Sequence, residues 1–202
     1  MVVTLASAAL VIPYLLFSPL AGRLAKIYKK RKIVVWAKFA EMLIMVVATA
    51  GFLTHSTGLV LSSILLMGLQ SALFSPSKYG LIRDIGGEEG ISYGSGAMEM
   101  FAFVGILTGT LMAAFLSESV TIPVLCVILF GVALFGWLSS LTIRANESEP
   151  MKESHETLNP VKFVKDMFVR ALAFKGLNLV VVGLATFWFI GSMIQMVLIV
   201  YC

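Results

Sequence analysis

The chain has 202 residues, of which 59% are hydrophobic and 13% are charged, and its formal net charge is +4. With a mean hydropathy of +0.97, this composition excludes an ordinary soluble domain. The positive charge does not indicate a nucleic-acid partner, because Lys and Arg cluster at the ends of apolar segments and form no face with interleaved aromatic residues. We therefore expect an all-α polytopic membrane protein surrounded by membrane lipids.

Six apolar segments approach the roughly 20 residues that a helix needs to cross the hydrocarbon core of a bilayer. In chain order they are Val2–Gly22, Ile33–Leu53, Leu59–Tyr79, Ile91–Leu116, Ile122–Ile143 and Leu177–Tyr201. The sequence therefore predicts six transmembrane helices. Lys and Arg occur in alternate gaps, namely Arg23–Lys32, Gly80–Gly90 with the adjacent Lys78, and Arg144–Gly176, whereas Thr54–Gly58 and Ser117–Thr121 carry none. Because Lys and Arg are enriched in cytoplasmic loops, the three basic gaps are expected in the cytoplasm.

This alternation of charge also predicts how the chain is divided. It places Met1 on the non-cytoplasmic face, so we expect a further helix upstream and interpret the chain as a fragment of a longer membrane protein. Residues 1–143 are then a first-half bundle without its first helix, residues 144–176 a cytoplasmic linker, and residues 177–202 the first helix of a second half. Within the linker, Asn159 and Pro160 are typical of a helix start, and the apolar row after them indicates an amphipathic helix at the membrane interface, the alternative being an ordinary solvated helix.

Ionisable residues inside the predicted spans are candidates for a functional site, because a charge deep in a membrane helix needs a partner or a wet cavity. Glu99 lies well inside the fourth span with no basic residue within one turn, so a group outside its own helix must satisfy it. We expect Glu99 to line a cavity, the alternative being a buried structural hydrogen bond. Lys38 and Glu41 lie on one face of the second span and can pair with each other. They either take part in binding a substrate or an ion, or they form a structural pair near the interface.

Other polar and aromatic residues extend this candidate site. Lys78 and Tyr79, at the cytoplasmic end of the third span, can bind a phosphate as a point charge and a hydroxyl donor, or can anchor the helix at the interface. Gln70 and Gln195 can form hydrogen bonds with headgroups or with neighbouring helices. Trp188 lies in an aromatic triplet that either lines an acyl-chain path or faces lipid.

Enzyme chemistry is not indicated by the sequence. Residues 90–94 match the G-x-S-x-G nucleophile pattern, but that pattern requires a preceding strand, and here it opens a membrane helix. His55 and His155 are expected on opposite sides of the membrane, so they cannot share a site. Cys126 and Cys202 show no metal-ligand spacing, and the sequence has no phosphate-binding glycine loop. We therefore expect no catalytic residue, no cofactor and no metal.

Four segments of the sequence resemble a known family of membrane proteins. Residues 18–32, SPLAGRLAKIYKKRK, resemble the signature after the second helix of the major facilitator superfamily. Residues 74–85 (FSPSKYGLIRDI), 94–110 (GSGAMEMFAFVGILTGT) and 187–195 (FWFIGSMIQ) resemble more specifically its lysophospholipid transporter branch. The resemblance implies a flippase of the bacterial inner membrane that moves lysophospholipid toward the cytoplasmic leaflet for re-acylation. It also implies a fused or associated acyltransferase as a partner, because some members are fused to an acyltransferase and an acyl carrier protein ligase.

The resemblance further implies a cytoplasmic gating loop. Its residues here are Gly22, Arg23, Lys26, Lys30 and Arg31. In the family, an acidic residue after the Leu-Ala pair takes part in a charge relay that holds the cytoplasmic gate. Lys26 stands at that position in this chain, and Lys29 stands where the family has a glycine before the basic pair. Gating through the usual acidic residue is therefore not expected.

Two classes of function remain open on the sequence. The first is a secondary carrier that holds the headgroup of an amphiphile in a polar cavity, with a solute or drug carrier of the same superfamily as the alternative. The second is a membrane scaffold that recruits a cytoplasmic lipid acyltransferase through the interfacial helix. A carrier predicts polar residues that converge on one internal space, whereas a scaffold predicts an interior whose polar residues are paired with each other.

Overall fold

The computed structural model describes residues 2–145, 147, 165, 169 and 176–201. These residues contain five helices and no strand: α1 Val2–Ile27, α2 Lys30–Leu53, α3 Thr57–Ser119, α4 Ile122–Leu141 and α5 Leu177–Tyr201. The chain divides into two compact units, Met1–His155 with α1 to α4 and Glu156–Cys202 with α5. The expected all-helical fold is confirmed for these residues. Most of the predicted linker, including Asn159 and Pro160, lies outside the described residues.

The longest helix, α3, folds back on itself at Gly87. This residue has φ 63° and ψ −162°, a backbone conformation that is essentially restricted to glycine. In a straight helix Tyr79 and Glu99 would lie about 30 Å apart along the axis, yet their side chains are hydrogen-bonded. A β-carbon on Gly94 would lie only 2.6 Å from Ile82 Cγ2, so the helix segments on either side of the fold are in close contact. We refer to residues 57–86 as the first arm of α3 and to residues 88–119 as its second arm.

The structure corrects the predicted gaps between helices. Arg23–Lys32 is largely helical, because only Tyr28 and Lys29 separate α1 from α2. Gly80–Gly90 is helical except for the break at Gly87. Lys, Arg and Glu form helices as readily as most apolar residues do, so a helix continues past the end of its apolar segment. Hydropathy therefore located the apolar cores of the helices but not the helix ends within these two gaps.

The predicted count of six transmembrane helices is not confirmed. Three helices in the described part of the chain are long and apolar enough to span a membrane: Lys30–Leu53, Thr57–Leu116 and Ile122–Leu141. A fourth is counted if Ala8–Tyr14 and Leu16–Ile27, bent by 43° within α1, form one span. This bend lies one turn before Pro19, whose ring disrupts helical hydrogen bonding there. The helix α5 has the bounds of the sixth predicted apolar segment, Leu177–Tyr201.

The first arm of α3 is the centre of the first unit. It packs against both α1 and α2, while α4 packs mainly against α2. A β-carbon on Gly68 would lie 2.4 Å from the Leu10 carbonyl oxygen, so α1 and α3 cross in direct backbone contact. Small residues fill the core, as is common where membrane helices approach closely; they include Ala21, Ala25, Ala37, Ala48, Ala72 and Ala133. The second arm instead exposes large apolar side chains such as Phe101 and Leu111.

Candidate functional site

The fold in α3 brings together three of the predicted site residues, Lys78, Tyr79 and Glu99, which we call the fold-back cluster. The Tyr79 hydroxyl on the first arm donates a hydrogen bond to Glu99 Oε1 on the second arm. Lys78 Nζ lies 4.7 Å from the centre of the Tyr79 ring, which places its charge over the aromatic face. The prediction that Glu99 is satisfied from outside its own span is therefore confirmed.

The fold-back cluster is open to its surroundings. Tyr79 is 38% exposed, and Lys78 and Glu99 are partly exposed. Within the described parts of the chain, no carboxylate lies within ion-pair distance of Lys78. An ammonium group donates up to three hydrogen bonds and a carboxylate accepts several, so both charged groups retain capacity for a further partner. The cluster thus offers a cation, a hydroxyl and a carboxylate to a bound molecule.

A second tyrosine extends this polar surface toward α1. The Tyr14 hydroxyl donates a hydrogen bond of 3.1 Å to Ser75 Oγ. Ser75 precedes Tyr79 by one helical turn, so the two residues lie on the same face of the first arm. Neither Tyr14 nor Ser75 was predicted as a site residue from the sequence. The spacing of Ser75, Lys78 and Tyr79 was a usable signal for a polar helix face, whereas the participation of Tyr14 depends on how α1 packs.

Three other predicted site residues, Lys38, Glu41 and Gln70, form a second group that we call the paired cluster. Lys38 Nζ lies 2.8 Å from Glu41 Oε2, which confirms the predicted ion pair within α2. The buried Gln70 on the first arm of α3 donates through Nε2 to the Ala37 carbonyl at 3.1 Å and to Glu41 Oε2 at 3.4 Å. Lys38 Nζ also lies 5.3 Å from the centre of the Phe74 ring. The polar groups of this cluster are thus largely bound to one another.

A further ion pair joins the ends of α2 and the first arm of α3. Lys30 Nζ lies 2.6 Å from Asp84 Oδ2, and the Asp84 side chain is only 4% exposed. A β-carbon on Gly80 would lie 2.8 Å from Lys30 Cδ, so Gly80 provides the space through which the lysine reaches its partner. Lys30 was predicted as a gating residue, but Asp84 was missed. The available signal was an acidic residue one turn after a glycine, just beyond the end of the predicted third span.

The other predicted gating residues have different surroundings. Arg31 Nη2 donates to the Leu141 carbonyl at 3.0 Å, and the Arg31 backbone N–H donates to Glu147 Oε1 at 3.1 Å. A cation at this position satisfies a carbonyl at the C-terminal end of α4. The remaining three, Gly22, Arg23 and Lys26, lie near the C-terminal end of α1. Among the described residues, no side-chain hydrogen bond or ion pair joins Arg23 or Lys26 to the residues around Arg31.

The last two predicted site residues, Gln195 and Trp188, belong to the second unit. Both lie in α5, and Trp188 packs nearly perpendicular to Phe187 with ring centroids 5.9 Å apart. Their contact with a substrate stays a prediction. In the described parts of both units, no three His, Cys, Asp or Glu side chains are grouped as metal ligands would be. The described polar groups are suited to holding a polar ligand through charge and hydrogen bonds.

Comparisons with known proteins address the family of the chain. The family model described as Major Facilitator Superfamily matches residues 1–201. The chain is 27% identical over 196 residues to the lysophospholipid transporter LplT of Pectobacterium carotovorum subsp. carotovorum (strain PC1), a match that covers 93% of this chain and 44% of that protein. It is 27% identical over 129 residues to the protein of the same name from Photorhabdus laumondii subsp. laumondii, which covers 61% of this chain and 30% of that protein. The comparison with solved structures found no significant match.

These matches agree with the resemblance seen in the sequence motifs. The chain spans less than half the length of each of the two curated relatives. Both relatives carry the name of a transporter and not that of an enzyme. The apolar helices of the described residues fit a membrane protein. Because the family model covers nearly the whole chain, including both polar clusters, the chain belongs to the Major Facilitator Superfamily.

Proposed function

We propose that the intact protein is a secondary membrane transporter that flips lysophospholipids toward the cytoplasmic leaflet, where they are re-acylated. The observation that carries the proposal is the fold-back cluster, in which an ammonium, a phenol hydroxyl and a carboxylate lie side by side. The names of the two relatives support lysophospholipid as the substrate class. The direction of movement and an acyltransferase partner rest on the resemblance of the sequence motifs alone.

The chemistry of the fold-back cluster matches a zwitterionic lipid headgroup. An ethanolamine lysophospholipid carries a phosphate and an ammonium group a few bonds apart. Lys78 supplies a point charge for the phosphate, and the Tyr79 hydroxyl can donate a hydrogen bond to one of its oxygens. Glu99 can then accept hydrogen bonds from the lipid ammonium. Binding therefore exchanges the bond between Tyr79 and Glu99 for charge-assisted bonds to the lipid, which limits the energetic cost of opening the cluster.

We assign different roles to the other predicted residues. Lys38, Glu41 and Gln70 hold α2 against the first arm of α3, because their polar groups already bind each other. Lys30 and Asp84 hold the ends of the same two helices together and take the place of the family's acidic gate contact, for which this chain has Lys26. Many secondary transporters bind substrate near the midplane between two repeats. We accordingly propose that Gln195 and Trp188 contact the substrate from the second half.

The proposed arrangement is six membrane spans in a multi-pass protein of the bacterial inner membrane. A straight helix over Thr57–Leu116 would be about 90 Å long, three times the roughly 30 Å of the hydrocarbon core. The fold at Gly87 supports this arrangement, because it divides α3 into two arms, and we propose that each arm is a separate span. We expect a cysteine placed at Thr57 to react with an impermeant maleimide from outside intact cells, and a cysteine placed at Ser148 to remain unlabelled. The reverse labelling pattern would contradict the orientation.

The function is tested with the intact protein in proteoliposomes. A fluorescent lysophosphatidylethanolamine and a diacyl phosphatidylethanolamine with the same label are compared, and an impermeant quencher reports which leaflet holds each lipid. We expect saturable flipping of the lysophospholipid and much slower movement of the diacyl lipid. Uptake of a soluble solute without lipid flipping would support the alternative carrier. Absence of both activities, together with acyltransferase activity that copurifies with the protein, would support the scaffold.

A further inference from the structure

An elongated groove lies along the first unit, away from the polar groups of the fold-back cluster. It has a volume of about 810 Å³, within the range of about 300–1,000 Å³ that is usual for ligand pockets. Its floor is the seam between α2 and the first arm of α3, and the end of α1 forms one wall. We call it the α2–α3 groove. Neither the family match nor the proposed headgroup site assigns a ligand to it.

The α2 side of the groove is a single helical stripe with a polar end and an apolar end. Lys32, Trp36, Ala40 and Leu43 recur at intervals of three or four residues, so their side chains lie on one face. Lys32 is exposed at the basic end of this stripe. Trp36 is 68% exposed one turn further on, where an indole is suited to the interface between headgroups and acyl chains.

The rest of the groove is apolar. Leu66, Leu69 and Leu73 form the matching stripe on the first arm of α3. Gln70 also reaches the floor, but its amide already donates to the Ala37 carbonyl. Tyr28 stands at the same end as Lys32 and adds a second amphipathic ring to that end. The groove therefore combines one charged, aromatic end with a hydrocarbon-lined body.

Of the consecutive basic residues Lys30, Arg31 and Lys32, Lys32 is the one that lines the groove. Lys30 is bound to Asp84, and Arg31 is bound to the Leu141 carbonyl and to Glu147. Lys32 is the next residue in the same basic run, and its side chain lines the groove. The complementary group is an anion attached to an apolar chain. Clusters of basic residues between membrane helices are known to bind anionic lipid headgroups.

The length of the groove matches the depth of one leaflet, in which a lipid acyl chain lies. From Lys32 to Ile44 the groove follows α2 for 12 residues, or about 18 Å of helix. This length is close to half of the roughly 30 Å hydrocarbon core, so the groove has the depth of one leaflet. We propose that the α2–α3 groove binds an anionic glycerophospholipid, with its phosphate at Lys32 and an acyl chain along Leu66, Leu69 and Leu73.

The test is photolabelling of the intact protein in nanodiscs that contain phosphatidylcholine and a small fraction of phosphatidylglycerol with a diazirine on one acyl chain. Adducts are mapped by mass spectrometry and normalised to adducts elsewhere on the protein. We expect labelling to concentrate on peptides that contain Trp36–Ile44 and Leu66–Leu73. A phosphatidylcholine probe with the same diazirine should label these peptides less strongly.

Two substitutions and one matched control make this test specific. Lys32→Gln should lower groove labelling by about fivefold, the change expected from losing one basic residue near an anionic headgroup. Arg83→Gln removes the same charge from an exposed position on α3 and should leave groove labelling nearly unchanged. Ala40→Trp, or Ala40→Leu if the larger residue prevents folding, should block groove labelling with either lipid.

Three outcomes would overturn the proposal. Equal losses in Lys32→Gln and Arg83→Gln would show general attraction of anionic lipid to the protein surface. Labelling that Ala40→Trp and Ala40→Leu both leave unchanged would place the lipid outside the groove. Crosslinks between the groove and another segment of the intact protein would show that protein fills it. Because the readout is lipid binding, failure of lysophospholipid transport leaves this test intact.

Discussion

The paired cluster and the fold-back cluster contain similar side chains but bind different partners. In the paired cluster, Lys38 and Glu41 neutralise each other and Gln70 binds the carboxylate and a nearby carbonyl. In the fold-back cluster, the one described side-chain hydrogen bond of Glu99 is with the Tyr79 hydroxyl. The Lys78 ammonium lies over the ring of the same tyrosine. Each cluster contains one lysine and one glutamate, yet only the first contains an ion pair. An ionisable residue in a membrane helix is thus structural or available to a ligand according to its partner.

The difference follows from how each cluster is assembled. Lys38 and Glu41 are three residues apart in one helix, so they meet as soon as α2 forms. Lys78 and Glu99 meet the same tyrosine only because α3 folds at Gly87. A locally formed pair is already complete when helices assemble, whereas a cluster built across a fold depends on the geometry of the two arms. Substitutions in the paired cluster should therefore lower stability, whereas substitutions in the fold-back cluster should lower transport.

The largest effect is expected on stability, from Glu41→Gln in the paired cluster. This change leaves Lys38 without its counter-ion at a site where the two side chains are 26% and 20% exposed. Breaking a buried pair costs about 3–5 kcal/mol, and partial exposure puts the expected loss near the lower end, about 3 kcal/mol. The free energy of unfolding in detergent measures it. Flipping per folded molecule should stay unchanged.

Replacing both members of the pair provides the control. Lys38→Met combined with Glu41→Met removes both charges and should recover most of the lost stability, because an apolar pair leaves no unpaired ion behind. Loss of flipping in this folded double variant would contradict the structural role and would move the paired cluster into the transport site.

The next largest effect is expected from Gly87→Ala. The backbone at Gly87 lies in a region that is essentially restricted to glycine, and no atom lies within 4 Å of an added β-carbon. The cost is therefore backbone strain, about 2 kcal/mol of the free energy of unfolding. Gly86→Ala is the matched control, because Gly86 also has open space but does not have a positive φ. Equal stability of the two variants would contradict a fold fixed at Gly87.

The sequence predicted the helices and the local pair because both depend on nearby residues. Apolar segments of membrane length indicate helices, and residues three apart indicate a shared face. The sequence also predicted that Glu99 needs an outside partner, because the sequence around it offers no cation. It did not identify that partner as Tyr79, since the contact depends on the fold at Gly87.

The helix ends in the charged gaps and the long-range pairs were not predictable for related reasons. Charged residues continue α1, α2 and α3 past their apolar segments, so hydropathy ended the predicted helices too early. The pair between Lys30 and Asp84 joins residues 54 positions apart. It also depends on the space at Gly80, where a side chain would block the path of the lysine. A single sequence does not show which distant acidic residue pairs with which base.

In the fold-back cluster, Glu99→Gln should reduce transport with little effect on folding. The glutamine keeps the shape of the side chain and still accepts a hydrogen bond from Tyr79, but it removes the charge that we propose binds the lipid ammonium. We expect flipping of lysophosphatidylethanolamine to fall by about tenfold, equivalent to about 1.4 kcal/mol. A choline or glycerol headgroup measured in parallel should identify the group that Glu99 contacts. Normal flipping at every pH tested would reject the role, and loss of expression alone would indicate a structural hydrogen bond.

The smallest effect is expected from Tyr79→Phe, which separates the hydroxyl from the ring. Phenylalanine keeps an aromatic face beneath the Lys78 ammonium and removes only the hydrogen bond to Glu99. Because water can replace the hydroxyl at this exposed position, the loss in transport should be about fivefold, equivalent to about 1 kcal/mol. The matched control is Tyr14→Phe, which removes the neighbouring hydrogen bond to Ser75 and should change flipping less. Suppose that Tyr79→Phe and Tyr14→Phe flip lipid at the same rate and that Glu99→Gln flips it more slowly. The carboxylate then acts on the headgroup without help from the Tyr79 hydroxyl. If Tyr79→Phe instead lowers flipping as much as Glu99→Gln, the phenol and the carboxylate act as one unit, because both changes then remove the same interaction with the headgroup.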